Sequence, residues 1–127
     1  MDKKKVMILS AFLLAAVLIG FWGFRTANVV KDSNNYDNFA KCVTESGAKM
    51  YGAFWCSHCN NQKKGFSSSW QYIEYVECST PDGQGQTGEC RAAGIKGYPT
   101  WEFSDGSRQE GEVPFETLSE LTSCKLP

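Results

Sequence analysis

The stretch Trp55-Cys56-Ser57-His58-Cys59 constrains this chain more than any other feature. It follows the apolar and aromatic run Ala48 to Trp55, which reads as a buried strand. It opens the segment Cys56 to about Phe66, where Asn60, Gln62, Lys63 and Lys64 read as an amphipathic helix. A cysteine at a strand-to-helix junction caps the helix N-terminus, where unpaired backbone N–H groups and the helix dipole favour an anion. The Cys56 thiol is therefore expected to be acidic. Cys59 lies one helical turn further on, within reach of a mixed disulfide on Cys56. That spacing assigns attack to Cys56 and release of the partner to Cys59. His58 is expected to turn a hydrogen bond or a positive charge toward the Cys56 thiolate. Stabilising that thiolate stabilises the reduced pair, which moves the potential toward the oxidising end of a range of about −270 to −120 mV.

Two plainer readings compete. Half of a zinc site would need two more Cys or His ligands at compatible spacing. Cys78 and Cys90 do not form a second C-x-x-C, and the single histidine, His58, lies inside the first. No metal is expected, and no bound cofactor beyond a redox-active Cys56–Cys59 disulfide. A purely structural bridge would close so tight a ring that it adds little loop entropy.

Six cysteines in 127 residues suit an oxidising compartment. The N-terminus agrees with export. Met1-Asp2-Lys3-Lys4-Lys5 is basic, and Val6 to Phe24 carries no charge. Roughly 19 residues at ~1.5 Å each give ~29 Å, close to the ~30 Å hydrocarbon core of a bilayer. The lysines precede the apolar run, so the N-terminus is expected to stay cytoplasmic and the remainder to cross. A cleaved signal would show a shorter apolar region and a small-x-small site, and neither Gly23 nor Ala27 fits one. The expectation is a single-pass protein: a basic tail at 1–5, a transmembrane signal anchor at 6–24, a polar linker at 25–34 and one domain at 35–127. That domain would lie on the periplasmic, extracytoplasmic or lumenal side. A net charge of −1 supplies no basic stripe for phosphates, which argues against nucleic acid.

Within the domain, Tyr36 to Ser46 reads as a helix with Phe39, Cys42 and Val43 on one face and Gly47 as its stop. Ile73 to Cys78 reads as a strand, Thr80 to Gly88 as a loop, and Glu89 to Ala93 as a short helix ended by Gly94. Thr100 to Phe103 and Gln109 to Glu112 read as strands joined by Ser104-Asp105-Gly106, and Phe115 to Cys124 as a closing helix. Helices alternating with strands imply an α/β sandwich: a parallel pair completed by a hairpin.

The run Gly97-Tyr98-Pro99-Thr100-Trp101 is the second signal. A proline entering a strand is a special position. Lying ~40 residues after a C-x-x-C, Tyr98-Pro99 is expected to be cis. It would set the Tyr98 backbone against the cysteine pair, where an extended client segment could add as a strand. Tyr98, Pro99 and Thr100, with Trp55 beside the sulfurs, are the candidate substrate-binding residues.

Together Gly47 to Lys64, Tyr75-Val76-Glu77-Cys78 and Cys90 to Trp101 resemble the thioredoxin-like domain fused to bacterial vitamin K epoxide reductase homologues. The likeness covers nearly all of residues 39 to 124. It implies a thioredoxin-like three-layer sandwich preceded by one transmembrane helix, a redox pair at Cys56 and Cys59, and a cis-proline at Pro99. It also implies disulfide exchange with exported thiol proteins and with a quinone-linked membrane reductase. The reductase part of that family is not found in this sequence, so the resemblance implies an acceptor acting in trans. Serine stands at 57, where the family usually has proline, and Met50 stands where ordinary thioredoxins bury an acid.

Four cysteines remain, and they allow three pairings. Domains of the resembled family carry the Cys78 and Cys90 pair together, closing a ring worth ~3 kcal/mol in the chain-entropy model. Cys42 and Cys124 would then join the first and last helices, closing ~80 residues for ~4.5 kcal/mol. All four are expected to be structural. Phe54, Tyr72, Tyr75, Phe103 and Phe115 are expected in the core, and Lys63 and Lys64 on a solvated face. Three functions fit: a disulfide donor to exported proteins, a disulfide reductase or isomerase on the same side of the membrane, and a non-catalytic module holding clients at Tyr98-Pro99.

Overall fold

A computed structural model describes residues 35–127. The tail, apolar segment and linker expected over 1–34 lie outside the described residues. Among the described residues no helix is long and apolar enough to cross a membrane.

The elements run α1 (Asp37–Glu45), β1 (Lys49–Gly52), α2 (Ser57–Phe66), a 3-10 segment (Ser67–Tyr72), β2 (Tyr75–Glu77), α3 (Gly88–Ala92), β3 (Thr100–Glu102), β4 (Arg108–Glu110) and α4 (Phe115–Thr122). The sheet order is β2-β1-β3-β4. β1 pairs parallel to β2, with Met50 opposite Tyr75, and antiparallel to β3, with Met50 opposite Trp101. β3 and β4 form the expected hairpin, with Thr100 opposite Glu110. A parallel pair extended by a hairpin, with helices around it, fits a thioredoxin-like fold.

Period-2 alternation on β1 divides the interior. Met50 joins Trp101, Phe39, Val43, Phe66 and Leu118 in the larger apolar cluster, which α1, α2 and α4 cover. Its neighbour Tyr51 faces the other way, to Cys78, Cys90 and Ile95, beneath α3. α1 is amphipathic as its sequence requires: Phe39, Ala40 and Val43 are buried, and Gly47 follows with φ +89°. A side chain at that φ would be strained.

Two disulfides brace the domain. Cys42 bonds Cys124 with a Cα–Cα distance of 5.8 Å, and Cys78 bonds Cys90 with 5.5 Å. This is the expected pairing.

Three expectations need correction. The strand expected over Ala48 to Trp55 ends at Gly52, because the chain turns there: the Cys56 N–H donates to the Ala53 carbonyl at 3.0 Å. Phe54, expected in the core, is 49% exposed as a result. Its N–H donates to the Glu77 carboxylate and its carbonyl accepts from the Asn60 amide, so side chains replace the ladder. Lys63, expected on a solvated face, lies half-buried with its ammonium 3.8 Å from the centre of the Tyr75 ring. Its methylene stem covers apolar surface while the charge meets an aromatic face. The Ser67–Tyr72 segment was not expected. It carries a buried Ser69, whose hydroxyl donates to Asp37 at 2.6 Å, and so ties the 3-10 segment after α2 to the start of α1.

Candidate functional site

The cysteine pair sits where β1 gives way to α2. Cys56 is the helix cap, in an extended conformation, and its Sγ accepts the Cys59 N–H at 3.2 Å. Lys63 and Lys64 occupy the last turn of α2, complementing its dipole at the opposite end. Both Cys56 and Cys59 are free thiols. Cys56 is 7% exposed and Cys59 is wholly enclosed. Cys56 thus keeps a small opening to solvent that Cys59 lacks. Burial, and then the hydrogen bond with Cys56, pushes the Cys59 thiol up to about 12, against the opposing pull of the Ala53 backbone. Cys59 thus holds its proton at neutral pH.

The Tyr98-Pro99 bond is cis, as expected. The Cys56 thiol points at the Tyr98 carbonyl across 3.6 Å, so the segment does lie against the pair. Pro99 is fully buried, and its carbonyl accepts the Gly111 N–H at 2.7 Å. Thr100 is buried too, and its hydroxyl donates to the Gly97 carbonyl at 2.9 Å. Thr100 therefore shapes the turn before Pro99, with its side chain enclosed. The Tyr98 ring is half-buried, its hydroxyl accepts from the Gln86 amide at 2.9 Å, and it meets Trp55 edge-on at 5.9 Å.

Trp55 is 54% exposed, and its Nε1 donates to the Ser79 hydroxyl at 2.9 Å. A Cβ on Gly83 would lie 3.5 Å from the Phe54 ring and 3.6 Å from the Trp55 ring, so the Thr80–Gly85 loop passes beneath both. Phe54 and Trp55 form an exposed apolar rim beside Cys56. Phe54 was missed by sequence reasoning; the signal was its place inside the turn rather than in the strand.

His58 behaves differently from expectation. Its Nδ1 lies 2.6 Å from Glu112, which also accepts from the Asn61 amide at 3.3 Å. Hydrogen bonds to His58, then Asn61, hold the Glu112 carboxyl below its ordinary range. The imidazole makes no hydrogen bond to the Cys56 sulfur; Glu112 holds it to one side. Glu112 had no signal in the sequence, because the contact joins residues 54 apart. Among the described residues no group of three or more His, Cys, Asp or Glu side chains could hold a metal ion.

The chain is 40% identical over 108 residues to the thiol-disulfide oxidoreductase LTO1 of Arabidopsis thaliana. The alignment covers 81% of this chain and 28% of that protein, so the chain spans about a quarter of the relative it matches. No family profile matches the chain.

Proposed function

From this likeness over four fifths of the chain, and from the cap geometry of Cys56, we propose that the domain is a thiol–disulfide oxidoreductase working through Cys56 and Cys59. One observation carries the reading. The more exposed sulfur receives a backbone N–H at a helix start, while its enclosed partner stands one turn behind. In the oxidised state the two would form the redox-active disulfide. A client thiolate attacks Cys56 Sγ, the Cys56–Cys59 bond breaks, and its electron pair leaves on Cys59 sulfur, which takes up a proton. A second client thiolate then attacks the client's own sulfur in the mixed disulfide. The client leaves with a new disulfide, and both electrons stay on Cys56 and Cys59.

The direction and setting form part of the proposal. Residues 6–24 anchor the chain, and the domain faces the oxidising side of the membrane. Its clients are exported thiol proteins, held as an added strand at Tyr98-Pro99 beneath the Phe54–Trp55 rim. A quinone-linked membrane protein resembling vitamin K epoxide reductase reoxidises the pair. The uncharged run behind three lysines supports the anchor, and six cysteines support the compartment.

The test is a redox titration of the pair against glutathione, with trapping by Cys59→Ser. The proposal expects a potential well above about −270 mV, and covalent client adducts on C59S that are absent from C56S. A thioredoxin-like potential, or a pair mainly reduced in intact cells, would reverse the direction of flow. Full function of a C56A/C59A double variant would leave only the client-holding module.

A further inference from the structure

Cys59 has no solvent exposure, so its proton needs a route. A resolving thiol must lose that proton to attack a mixed disulfide on Cys56, and regain it when the pair is opened. Few polar groups border it. From its own helix and the preceding turn come Cys56, Lys63 and the Ala53 backbone. From β2 comes Tyr75. A Cβ built on Gly52 would lie 3.0 Å from the Cys59 Sγ and 3.2 Å from the Tyr75 hydroxyl oxygen, so both atoms flank the same bare glycine. The Tyr75 hydroxyl donates to Glu77 Oε2 at 2.8 Å. The other Glu77 oxygen accepts the Phe54 and Ser79 N–H groups, at 3.2 and 2.9 Å, which fixes the carboxylate in place. The Lys63 ammonium lies on the Tyr75 ring. Met50, on the same face of β1 as Gly52, offers no acid. Burial, then the hydrogen bond to Glu77, raises the Tyr75 phenol well above its ordinary range, so it stays protonated and can only hand protons on.

We propose that Tyr75 and Glu77 form the proton relay of Cys59, an inference that rests on the exchange role proposed above. With Cys56 joined to a partner sulfur, the Cys59 thiol passes its proton to the Tyr75 oxygen as the Tyr75 hydroxyl proton moves to Glu77 Oε2. The Cys59 thiolate attacks Cys56 Sγ, the Cys56–Cys59 bond forms, and the Cys56–partner bond breaks. The partner sulfur leaves as a thiolate with the electron pair; the partner's disulfide is the oxidant. The relay runs backward when a client thiolate opens the pair.

Stopped-flow reaction of the reduced protein with an aromatic disulfide that releases a coloured thiolate separates the steps. The first release reports attack by Cys56, and the second reports resolution by Cys59. Tyr75→Phe keeps the ring and removes the hydroxyl. It is expected to slow the second release about 10- to 100-fold at neutral pH and leave the first within about twofold. Glu77→Gln should also slow the second release, and Y75F/E77Q should be no slower than Y75F, since the two act in series. An unchanged second release in Y75F, equal slowing of both releases, or additive effects in the double variant would overturn the relay. Absence of a second release in the unmodified protein would instead overturn the exchange role itself.

Discussion

The side-chain amide of Gln62 grips the backbone of Val113 from both sides: the Val113 N–H donates to its Oε1 at 2.7 Å, and its Nε2 donates to the Val113 carbonyl at 3.1 Å. Gln62 is 5% exposed. The clasp fastens α2, which carries the cysteines, to the segment just before α4. Two residues earlier, Gly111 bonds the Pro99 carbonyl. One buried amide thus helps to hold the two halves of the site in register. Replacing it by alanine leaves two backbone groups of Val113 unpaired. Q62A is expected to lower unfolding free energy by about 2–4 kcal/mol in denaturant titration.

Trp55 is tied to the site by one hydrogen bond to Ser79 and an edge contact with Tyr98. Half-exposed, it contributes little to the core. Trp55→Ala is expected to cost about 1 kcal/mol of stability or less, yet to lower kcat/KM toward a protein client by about tenfold. Equal losses toward a protein and toward a small aromatic disulfide would place the ring at the sulfurs rather than at the client.

The enclosed Cys59 thiol makes the reduced fold sensitive to alkali. Its native value is raised from 9.0 to about 12, so the unfolded chain releases this proton first. Stability from this group is complete below pH 9 and is lost as the pH rises toward 12. Denaturation midpoints of the reduced protein should fall across that window. The oxidised protein, which has no Cys59 thiol, should not show this component, and neither should reduced C59S.

The two structural bridges close very different loops, with sequence separations of 82 for Cys42–Cys124 and 12 for Cys78–Cys90. Thermal unfolding of the paired alanine variants is expected to show a larger loss for C42A/C124A, about 4 to 5 kcal/mol, than for C78A/C90A, about 3 kcal/mol.

Glu112 holds the His58 imidazole away from Cys56. Freed by Glu112→Gln, the imidazole can turn to the sulfur and stabilise the reduced pair. The equilibrium with glutathione should shift about two- to tenfold toward reduced protein. In a His58→Ala background the same substitution should have no effect on that equilibrium.

Much of this molecule is local and could be read from its residues in order. The cap role of Cys56, the amphipathic α1 ended by Gly47, the Ser104-Asp105-Gly106 turn and the proline at the entry to β3 all arise from neighbours in sequence. Backbone capping, helical periodicity and proline's missing N–H act over a few residues, so the pattern carries them. The disulfide pairing came from resemblance rather than from spacing, and the structure agrees with it.

What the chain's order could not decide was which distant groups would meet. Phe54 left the core where Glu77, 23 residues further along the chain, took its backbone N–H, and the nearer Asn60 took its carbonyl. His58 met Glu112, Gln62 clasped Val113, and Tyr75 came to the bare face of Gly52 beside Cys59 only once β2 paired with β1 and α2 packed over them. A polar side chain has no periodic signature that names its partner. Its hydrogen bond exists only when packing has brought the acceptor within reach and removed the competing water.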